Sequence, residues 1–213
     1  MGKIINRNNI SSWLLCLISL VISGVSMNYL PDKIPVHFST NGTIDSYGSK
    51  FTLFLIPVVI LVLIVIAELK KDINKSSKPS SRYYYQIIFF VNAIIIAFEI
   101  YTIATACELE LTDINNFVLV ILGLLVMTFG NMMPKFGHNF AIGIRTKWTL
   151  ADEHIWYRTH RLCAKIWFVG GALLVVAAFM RDTMRIGFIA AIVVIMVLVP
   201  ILYSKAEYEK NNK

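Results

Sequence analysis

The chain has 213 residues, of which 57% are hydrophobic and 15% are charged. Soluble domains carry roughly 25% charged residues. The apolar residues here stand in blocks of about 20 instead of amphipathic repeats. Together these features exclude an ordinary soluble domain and predict an all-α, polytopic membrane protein. The net charge of +7 comes from Lys and Arg beside the apolar blocks, which indicates membrane topology and no direct nucleic-acid partner.

Six apolar blocks predict six transmembrane helices, because each is near the length of about 20 residues that a bilayer needs. The blocks lie at about 10–30, 51–69, 83–106, 116–133, 163–180 and 186–204. The polar segment 70–82 separates a two-span N-terminal module, 1–82, from a four-span module, 83–213.

The distribution of positive charge predicts the orientation. With the N-terminus in the cytoplasm, 16 of the 20 Lys and Arg residues fall on the cytoplasmic side and the remaining 4 on the other side. Because positively charged connecting segments stay in the cytoplasm, both termini are expected there. Segment 31–50 is then expected outside and segment 131–162 inside.

The segment "LPDKIPVHFSTNGTIDSYGSK" (30–50) joins the first two spans. Its Pro, Gly, Asn and Asp residues are typical of a loop, and Asn41-Gly42 is a strong turn dipeptide that favours a short hairpin. His37 is a candidate for a pH-sensitive or ligand contact, although such a histidine is more often an ordinary hydrogen-bonded residue.

The third span contains the polar residues Asn92 and Glu99. An ionisable group at membrane depth is costly and usually faces the bundle interior or a cavity. Asn92 lies two turns before Glu99 on a similar helix face. The pair either lines a polar pocket or proton path, or makes interhelical hydrogen bonds.

The stretch "GIRTKWTLADEHIWYRTHR" (143–161) is crowded with charge between apolar blocks. Thr149, with Asp152 three residues later, predicts a capping-box-like helix start, and Trp148 and Trp156 are interfacial aromatics. We therefore expect a short amphipathic helix at the membrane surface before the fifth span. A solvated connector is the plainer alternative.

The same stretch does not predict a metal or a catalytic site. His154 and His160 are six residues apart, which is not the i, i+4 spacing of two ligands on one helix face, and the three cysteines are scattered with no CxxC pair. No Gly-x-Ser-x-Gly elbow or phosphate-binding Gly-rich loop is present. We expect no metal, no cofactor and no enzyme, while Arg145 and Thr146 are suited to hold a lipid headgroup or simply to anchor topology.

Two stretches resemble a known family. Residues 30–50 resemble an outer-loop module of bacterial membrane proteins with the pattern Leu-Pro-x-x-Ile-Pro-x-His-Phe, then Gly-x-x-Asp and Ser-Lys. Residues 130–161 resemble the signature of the SdpI family: Gly-Asn-x-x-Pro-Lys, Asn-x-x-x-Gly-Ile-Arg-Thr, Trp-Thr-Leu and Glu-x-x-Trp-x-x-Thr-His-Arg. Lys147 departs from this pattern, where Pro often stands.

The resemblance implies a bacterial cell-membrane protein that protects a producing cell from a secreted peptide toxin. It also implies a possible second role, as a receptor that holds a small cytoplasmic DNA-binding repressor at the membrane. Membrane lipid, the toxin and the repressor are thus the expected partners. A proton-coupled transporter using Asn92 and Glu99, or a membrane-embedded enzyme acting at segment 143–161, are the alternatives.

The resemblance also suggests two sets of site residues. The candidates for toxin recognition in the outer segment are Pro31, Ile34, Pro35, His37, Phe38, Gly42, Asp45 and Lys50. The candidates for cytoplasmic docking are Asn131, Pro134, Asn139, Gly143, Arg145, Thr146, Trp148, Thr149, Glu153, Trp156, Thr159, His160 and Arg161. The second set has an alternative structural role, which is to hold the fourth and fifth spans together by capping and ion pairs.

Overall fold

A computed structural model describes residues 5, 7–70, 78–138 and 142–211. Its elements in chain order are helix α1 (Ile10–Ser26), strands β1 (Lys33–Phe38) and β2 (Ile44–Ser49), and helices α2 (Leu55–Lys70), α3 (Lys78–Ala106), α4 (Ile114–Met132), α5 (Lys147–Ala151), α6 (Glu153–Ala177) and α7 (Asp182–Asn211). Short 3-10 turns, Lys50–Phe54 and Met133–Lys135, precede α2 and follow α4.

The helices have the length and composition of membrane spans. In the described part of the chain, five segments are long and apolar enough to cross a bilayer, and α1 is a shorter apolar helix of 17 residues. The predicted all-α, multi-pass architecture with about six spans is thereby confirmed. The predicted first span, 10–30, was too long, because the helix ends at Ser26 and turns precede the hairpin.

The described residues form two compact units. The first comprises those of Met1–Lys75 and Tyr84–Asn115, and the second those of Ser76–Tyr83 and Asn116–Lys213. Most of α3 therefore packs with the first unit, while the proposed division into sequence modules at residues 82 and 83 stays a prediction. Residues 71–77 of the predicted polar segment lie outside the described residues, and α3 begins at Lys78.

The predicted hairpin between the first two spans is confirmed. Strands β1 and β2 pair antiparallel, from Lys33 opposite Ser49 to Phe38 opposite Ile44. Gly42 in the connecting turn has φ +85°, a left-handed conformation that glycine adopts without the steric cost of a side chain.

In the second unit, α4 and α6 approach each other closely through glycines. A Cβ on Gly123 would lie 2.6 Å from the carbonyl oxygen of Gly171, and a Cβ on Gly171 would lie 2.5 Å from that of Gly123. Small residues allow such backbone approach between membrane helices, where dispersion contacts replace the hydrophobic effect as the driving force.

Pro200 lies inside α7 and cannot donate a backbone hydrogen bond to the carbonyl of Met196, four residues earlier. The indole Nε1–H of Trp167 in α6 donates to this carbonyl oxygen at 3.2 Å. Because a bilayer core contains no water to satisfy a free carbonyl, Trp167 compensates for the proline and joins the two helices.

The segment before the fifth span differs from the prediction. The only separate short helix in this described stretch is α5, which has five residues, and α6 continues without interruption from Glu153 to Ala177. Asp152 divides the two helices, with φ −144° and ψ 125°. The predicted start of the fifth span near residue 163 was therefore wrong, because the polar residues 153–161 already belong to the spanning helix.

Candidate functional site

The hairpin segment (residues 30–50) is fixed to the first unit by one apolar side. Ile34 is 1% exposed and packs with Leu30 and Leu53, and Pro35 beside it is also buried. The ring of Phe38 meets that of Tyr101 edge to face, with centroids 5.9 Å apart. Three of the predicted recognition residues, Ile34, Pro35 and Phe38, therefore pack against the rest of the unit and hold the hairpin in place. A fourth, Pro31, is exposed.

The hairpin tip contacts the segment that begins α4. A Cβ on Gly42 would lie 2.5 Å from Oδ2 of Asp113, and the side-chain amide of Asn115 donates to the carbonyl of Thr40 at 3.3 Å. Asp113 also caps this end of the helix, since its Oδ1 accepts from the backbone N–H of Asn115 at 2.8 Å. The glycine of the turn is therefore required by both its φ angle and the space available.

Polar side chains occupy the other side of the hairpin segment. Nδ1 of His37 lies 2.6 Å from Oδ1 of Asp45, and both side chains are substantially exposed. Lys50 forms an ion pair with Asp32, with Nζ 3.2 Å from Oδ1. His37 and Asp45, predicted separately as recognition residues, are brought together by the strand pairing.

An apolar groove of about 240 Å³ runs beside β1. Its rim includes Val36 and Leu55, whose side chains are 47% and 61% exposed, while Thr102 contributes a polar group. The lining residues are Ile34, Pro35, Val36, Phe38, Thr52, Leu53, Leu55, Ile56 and Thr102. The groove places apolar surface next to the His37–Asp45 pair.

Helix α1 turns polar side chains inward and apolar side chains outward. Its four buried residues are all serines, Ser12, Ser19, Ser23 and Ser26, whereas residues such as Leu17 are more than half exposed. Serines at these spacings, seven, four and three residues apart, share one helix face. A helix in lipid gains nothing by burying Leu, so small polar residues can form the contact surface.

The inward serines meet Glu99 of α3, which is fully buried. The hydroxyl of Ser19 donates to Oε2 at 2.6 Å and that of Ser23 donates to Oε1 at 2.7 Å. The interhelical hydrogen bonds that the sequence offered as one alternative for Glu99 are thus present. Asn92 is also fully buried, and neither polar atom of its side chain has a hydrogen-bond partner among the described residues.

In the second unit, Thr146 and Thr149 form the start of α5. Oγ1 of Thr146 accepts from the backbone N–H of Thr149 at 3.1 Å, and Oγ1 of Thr149 accepts from that of Thr146 at 2.9 Å. The prediction that Thr149 begins the helix was wrong. Thr149 is the N3 residue of a reciprocal capping box, and α6 has its own cap in Asp152, which accepts from His154 and Ile155.

Trp156 and His160 form a buried hydrogen-bonded stack at the start of α6. Their rings lie 4.0 Å apart and are inclined by 24°. Nδ1 of His160 donates to the carbonyl of Trp156 at 2.8 Å, and Nε2 accepts the backbone N–H of Ile144 at 3.0 Å. The indole of Trp156 donates to the carbonyl of Phe136 at 3.0 Å. This arrangement fixes the neutral tautomer of His160 and holds the segment before α5 on α6.

Gly143 completes this cluster. Its φ is +119°, and a Cβ would lie 2.4 Å from Nε2 of His160 and 3.2 Å from the Trp156 ring. The backbone must pass this close for Ile144 to reach His160. Gly143, Thr146, Thr149, Trp156 and His160, with Phe136 and Ile144, are called the signature cluster below.

The other predicted residues of this segment lie around the cluster. Thr159 is buried, and its Oγ1 has no hydrogen-bond partner in the described part of the chain. Trp148 is half-buried, with Nζ of Lys147 5.0 Å from its ring centroid. Asn139 lies outside the described residues. The side chains on the exposed surface belong to Asn131, Pro134, Arg145, Glu153 and Arg161.

Sequence reasoning missed several residues of these sites. Ser19 and Ser23 hold Glu99. The hydroxyl of Thr146 donates a hydrogen bond to Oγ of Ser204 in α7 at 3.0 Å. Arg158 of α6 forms an ion pair with Glu207 of α7, with Nη1 2.7 Å from Oε2. The regular spacing of serines in an otherwise apolar block was the available signal for Ser19 and Ser23.

Comparison with known proteins bears on the whole chain. Residues 135–204 match the SdpI/YfhL protein family, and residues 14–61 match a domain of unknown function, DUF1648. The resemblance to the SdpI family is confirmed. The Immunity protein SdpI of Bacillus subtilis (strain 168) is 27% identical over 209 residues, which cover 97% of this chain and 98% of that protein. No solved structure matches the chain.

The two matched regions contain the hairpin segment and the signature cluster. The SdpI/YfhL match starts at Lys135 and includes the signature cluster together with α6 and most of α7. The DUF1648 match includes most of α1, the hairpin and the first turns of α2. In the described residues, no three His, Cys, Asp or Glu side chains come together as a metal site would require.

Proposed function

We propose that this chain is an integral membrane immunity protein that protects a bacterial cell from a secreted peptide toxin. The observation that carries the proposal is the similarity to a protein named Immunity protein SdpI, which extends over 97% of this chain. Nearly complete coverage of both proteins means that the hairpin segment, the spans and the signature cluster are all included. The proposed role is one of binding and protection, with no chemical step.

The proposed orientation places both termini in the cytoplasm. It rests on the distribution of Lys and Arg, with 16 of 20 on one side. In this orientation the hairpin segment faces the medium, where a secreted peptide arrives. The signature cluster and its exposed neighbours face the cytoplasm.

Within the hairpin segment we assign recognition to the exposed residues. His37 and Asp45 present a hydrogen-bonded polar pair, and the groove beside β1 presents apolar surface. A peptide that inserts into membranes carries apolar side chains, which suit such a groove with a few polar contacts. Ile34, Phe38 and Gly42 would act indirectly by holding the hairpin in place.

A cytoplasmic docking role for segment 131–161 is proposed in the same way. The signature cluster would be the rigid support, and the exposed charged residues Arg145, Glu153 and Arg161 would form the contact surface. A small DNA-binding repressor is the proposed partner. Removing an exposed charge should weaken such docking, whereas opening the cluster should also lower the stability of the protein.

Survival of a toxin-sensitive strain tests the main proposal. The chain is expressed from a plasmid, its presence in the membrane fraction is verified, and the cells are challenged with the secreted peptide toxin associated with the SdpI family. Protection relative to an empty plasmid is expected. A double variant, His37→Ala with Asp45→Ala, should lose protection while reaching the membrane at the same level, and Glu209→Ala serves as a matched surface control.

A proton-coupled transporter is a second candidate because Glu99 is fully buried in a spanning helix. It predicts that Glu99→Gln abolishes protection although the variant is present in the membrane. Unchanged protection by Glu99→Gln would rule out this candidate and leave the binding proposal intact.

A further inference from the structure

The polar interior of the first unit extends along α1 and α3. At one position along these two helices, Ser19 and Ser23 donate hydrogen bonds to Glu99. At the end of α1 nearest its N-terminus, the side-chain amide of Asn9, which is 1% exposed, donates to Oε1 of Glu68. Asn9, the N-cap residue of α1, and the serines at 12, 19 and 23 are three, seven and four residues apart. They therefore lie on one face of the helix.

Helices α1 and α3 run parallel. The end of α1 and the end of α3 meet in one apolar cluster, which includes Met27 and Ile103. Asn92 precedes Glu99 by seven residues, and Ser12 precedes Ser19 by seven residues, which is about 10 Å along each helix. Asn92 and Ser12 therefore lie at the same level, between Glu99 and the Asn9–Glu68 pair.

This level contains buried polar atoms without partners. Oγ of Ser12 and both polar atoms of the Asn92 side chain lack hydrogen bonds to any described residue, although Ser12 is 1% exposed and Asn92 is fully buried. Leaving such atoms unsatisfied is costly, and internal water typically fills this role where two to four polar groups converge. The site has the chemistry of a water-binding position.

Glu99 itself is held only by hydroxyl groups in the described part of the chain, with no cationic side chain beside it. On the neighbouring turns of the two helices, the titratable groups are Cys16 on α1, whose thiol contacts the carbonyl of Pro57, and Tyr101 on α3, whose hydroxyl donates to the carbonyl of Thr112. An unpaired carboxylate at membrane depth is expensive, whereas a carboxylic acid with two hydroxyl neighbours is not.

We propose that Glu99 is a membrane-embedded proton-binding site and that Asn92 and Ser12 line a hydrated route joining it to the Asn9–Glu68 end of the unit. The ligand is a proton delivered by water. The carboxylate gains the proton at one oxygen, and a hydroxide or buffer base is left behind in the water. This site is separate from the proposed recognition hairpin and does not depend on the immunity proposal.

Infrared spectroscopy of the protein reconstituted in lipid tests the proposal. A carbonyl band of a protonated carboxyl group is expected in the wild type, and it should disappear in Glu99→Gln while remaining in Glu68→Gln. The band should shift after transfer from H₂O to D₂O, because the route admits water. A band that persists in Glu99→Gln, or the absence of such a band across the pH range in which the protein is folded, would overturn the proposal.

The route is tested by the rate of that shift. Asn92→Leu keeps the branched shape of the side chain but removes its polar atoms, so the exchange should become several-fold slower. Thr105→Val is the matched control, because Thr105 bonds the carbonyl of Tyr101 in its own helix. Equal exchange rates in Asn92→Leu and wild type would refute the route. The absence of the band from the wild type needs no variant, so it overturns the proton site even if a variant does not fold.

Discussion

At the scale of single residues, the signature cluster shows how a polar motif is built into a helix start. His160 accepts from one backbone segment and donates to another, so each nitrogen has one defined role. Trp156 contributes a ring to the stack and an N–H to Phe136. These contacts explain why Trp and His stand at positions 156 and 160, and they stabilise the fold whether or not a partner docks on the motif.

Gly143 gives the sharpest residue-scale prediction. Gly143→Ala should destabilise the protein by about 1–3 kcal/mol, because φ is +119° and the new methyl group would meet His160. Thermal unfolding in detergent, followed by tryptophan fluorescence, measures the effect. Gly137→Ala is the matched control, since a Cβ there has nothing within 4 Å. Equal melting temperatures for the two variants would contradict the proposed close approach.

The residue scale also shows where sequence reasoning stops. The sequence predicted one capping box from Thr149 and Asp152, but Thr146 begins α5 and Asp152 begins α6, which depends on backbone angles that the pattern does not contain. The spacing of His160 from His154 argued against a metal site but did not indicate what His160 binds. Its actual partners are backbone groups of residues 144 and 156, which no side-chain pattern encodes.

At the scale of elements, α6 and α7 depend on a proline and a tryptophan that are far apart in sequence. Trp167→Phe removes the donor to the Met196 carbonyl, which Pro200 leaves without its helical partner. We expect a loss of about 1–3 kcal/mol, the usual consequence of an unsatisfied buried acceptor. The free energy of unfolding in detergent, compared between Trp167→Phe and the wild type, measures this loss.

A double-mutant cycle makes this prediction specific. Pro200→Ala restores an N–H that can reach the Met196 carbonyl within α7, so Trp167→Phe should cost much less in that background. Leu198→Ala, a lipid-exposed change on the same helix, should leave the cost of Trp167→Phe unchanged. Additive effects of Trp167→Phe and Pro200→Ala would show that the indole hydrogen bond does not compensate for the proline.

Element boundaries and faces were predictable to different degrees. Length and hydropathy were sufficient for the spans, and Asn41-Gly42 was sufficient for the hairpin. The inward face of α1 was not predicted, because hydropathy treats Leu as interior and Ser as exterior, and the membrane reverses this expectation. The fifth span was predicted to begin too late, because its first turns carry the charged residues that pack against α7, among them Arg158.

At the scale of the whole molecule, the orientation in the membrane can be tested with a native cysteine. Cys107 is exposed just after α3, whereas Cys163 is buried. In the proposed orientation, a membrane-impermeant maleimide added to intact cells should label Cys107, and Cys107→Ser should abolish this labelling. Glu209→Cys in the Cys107→Ser background should become labelled only after permeabilisation. The reverse pattern would invert the proposed topology.

The concentration of toxin that kills half the cells measures the immunity that this chain is proposed to confer. Sensitive cells expressing the wild-type chain should survive a several-fold higher concentration of the SdpI-associated peptide toxin than cells with an empty plasmid. The His37→Ala, Asp45→Ala double variant should return to the empty-plasmid value at equal membrane abundance. Identical killing concentrations for wild type and empty plasmid, with the protein verified in the membrane, would show that this chain does not confer immunity.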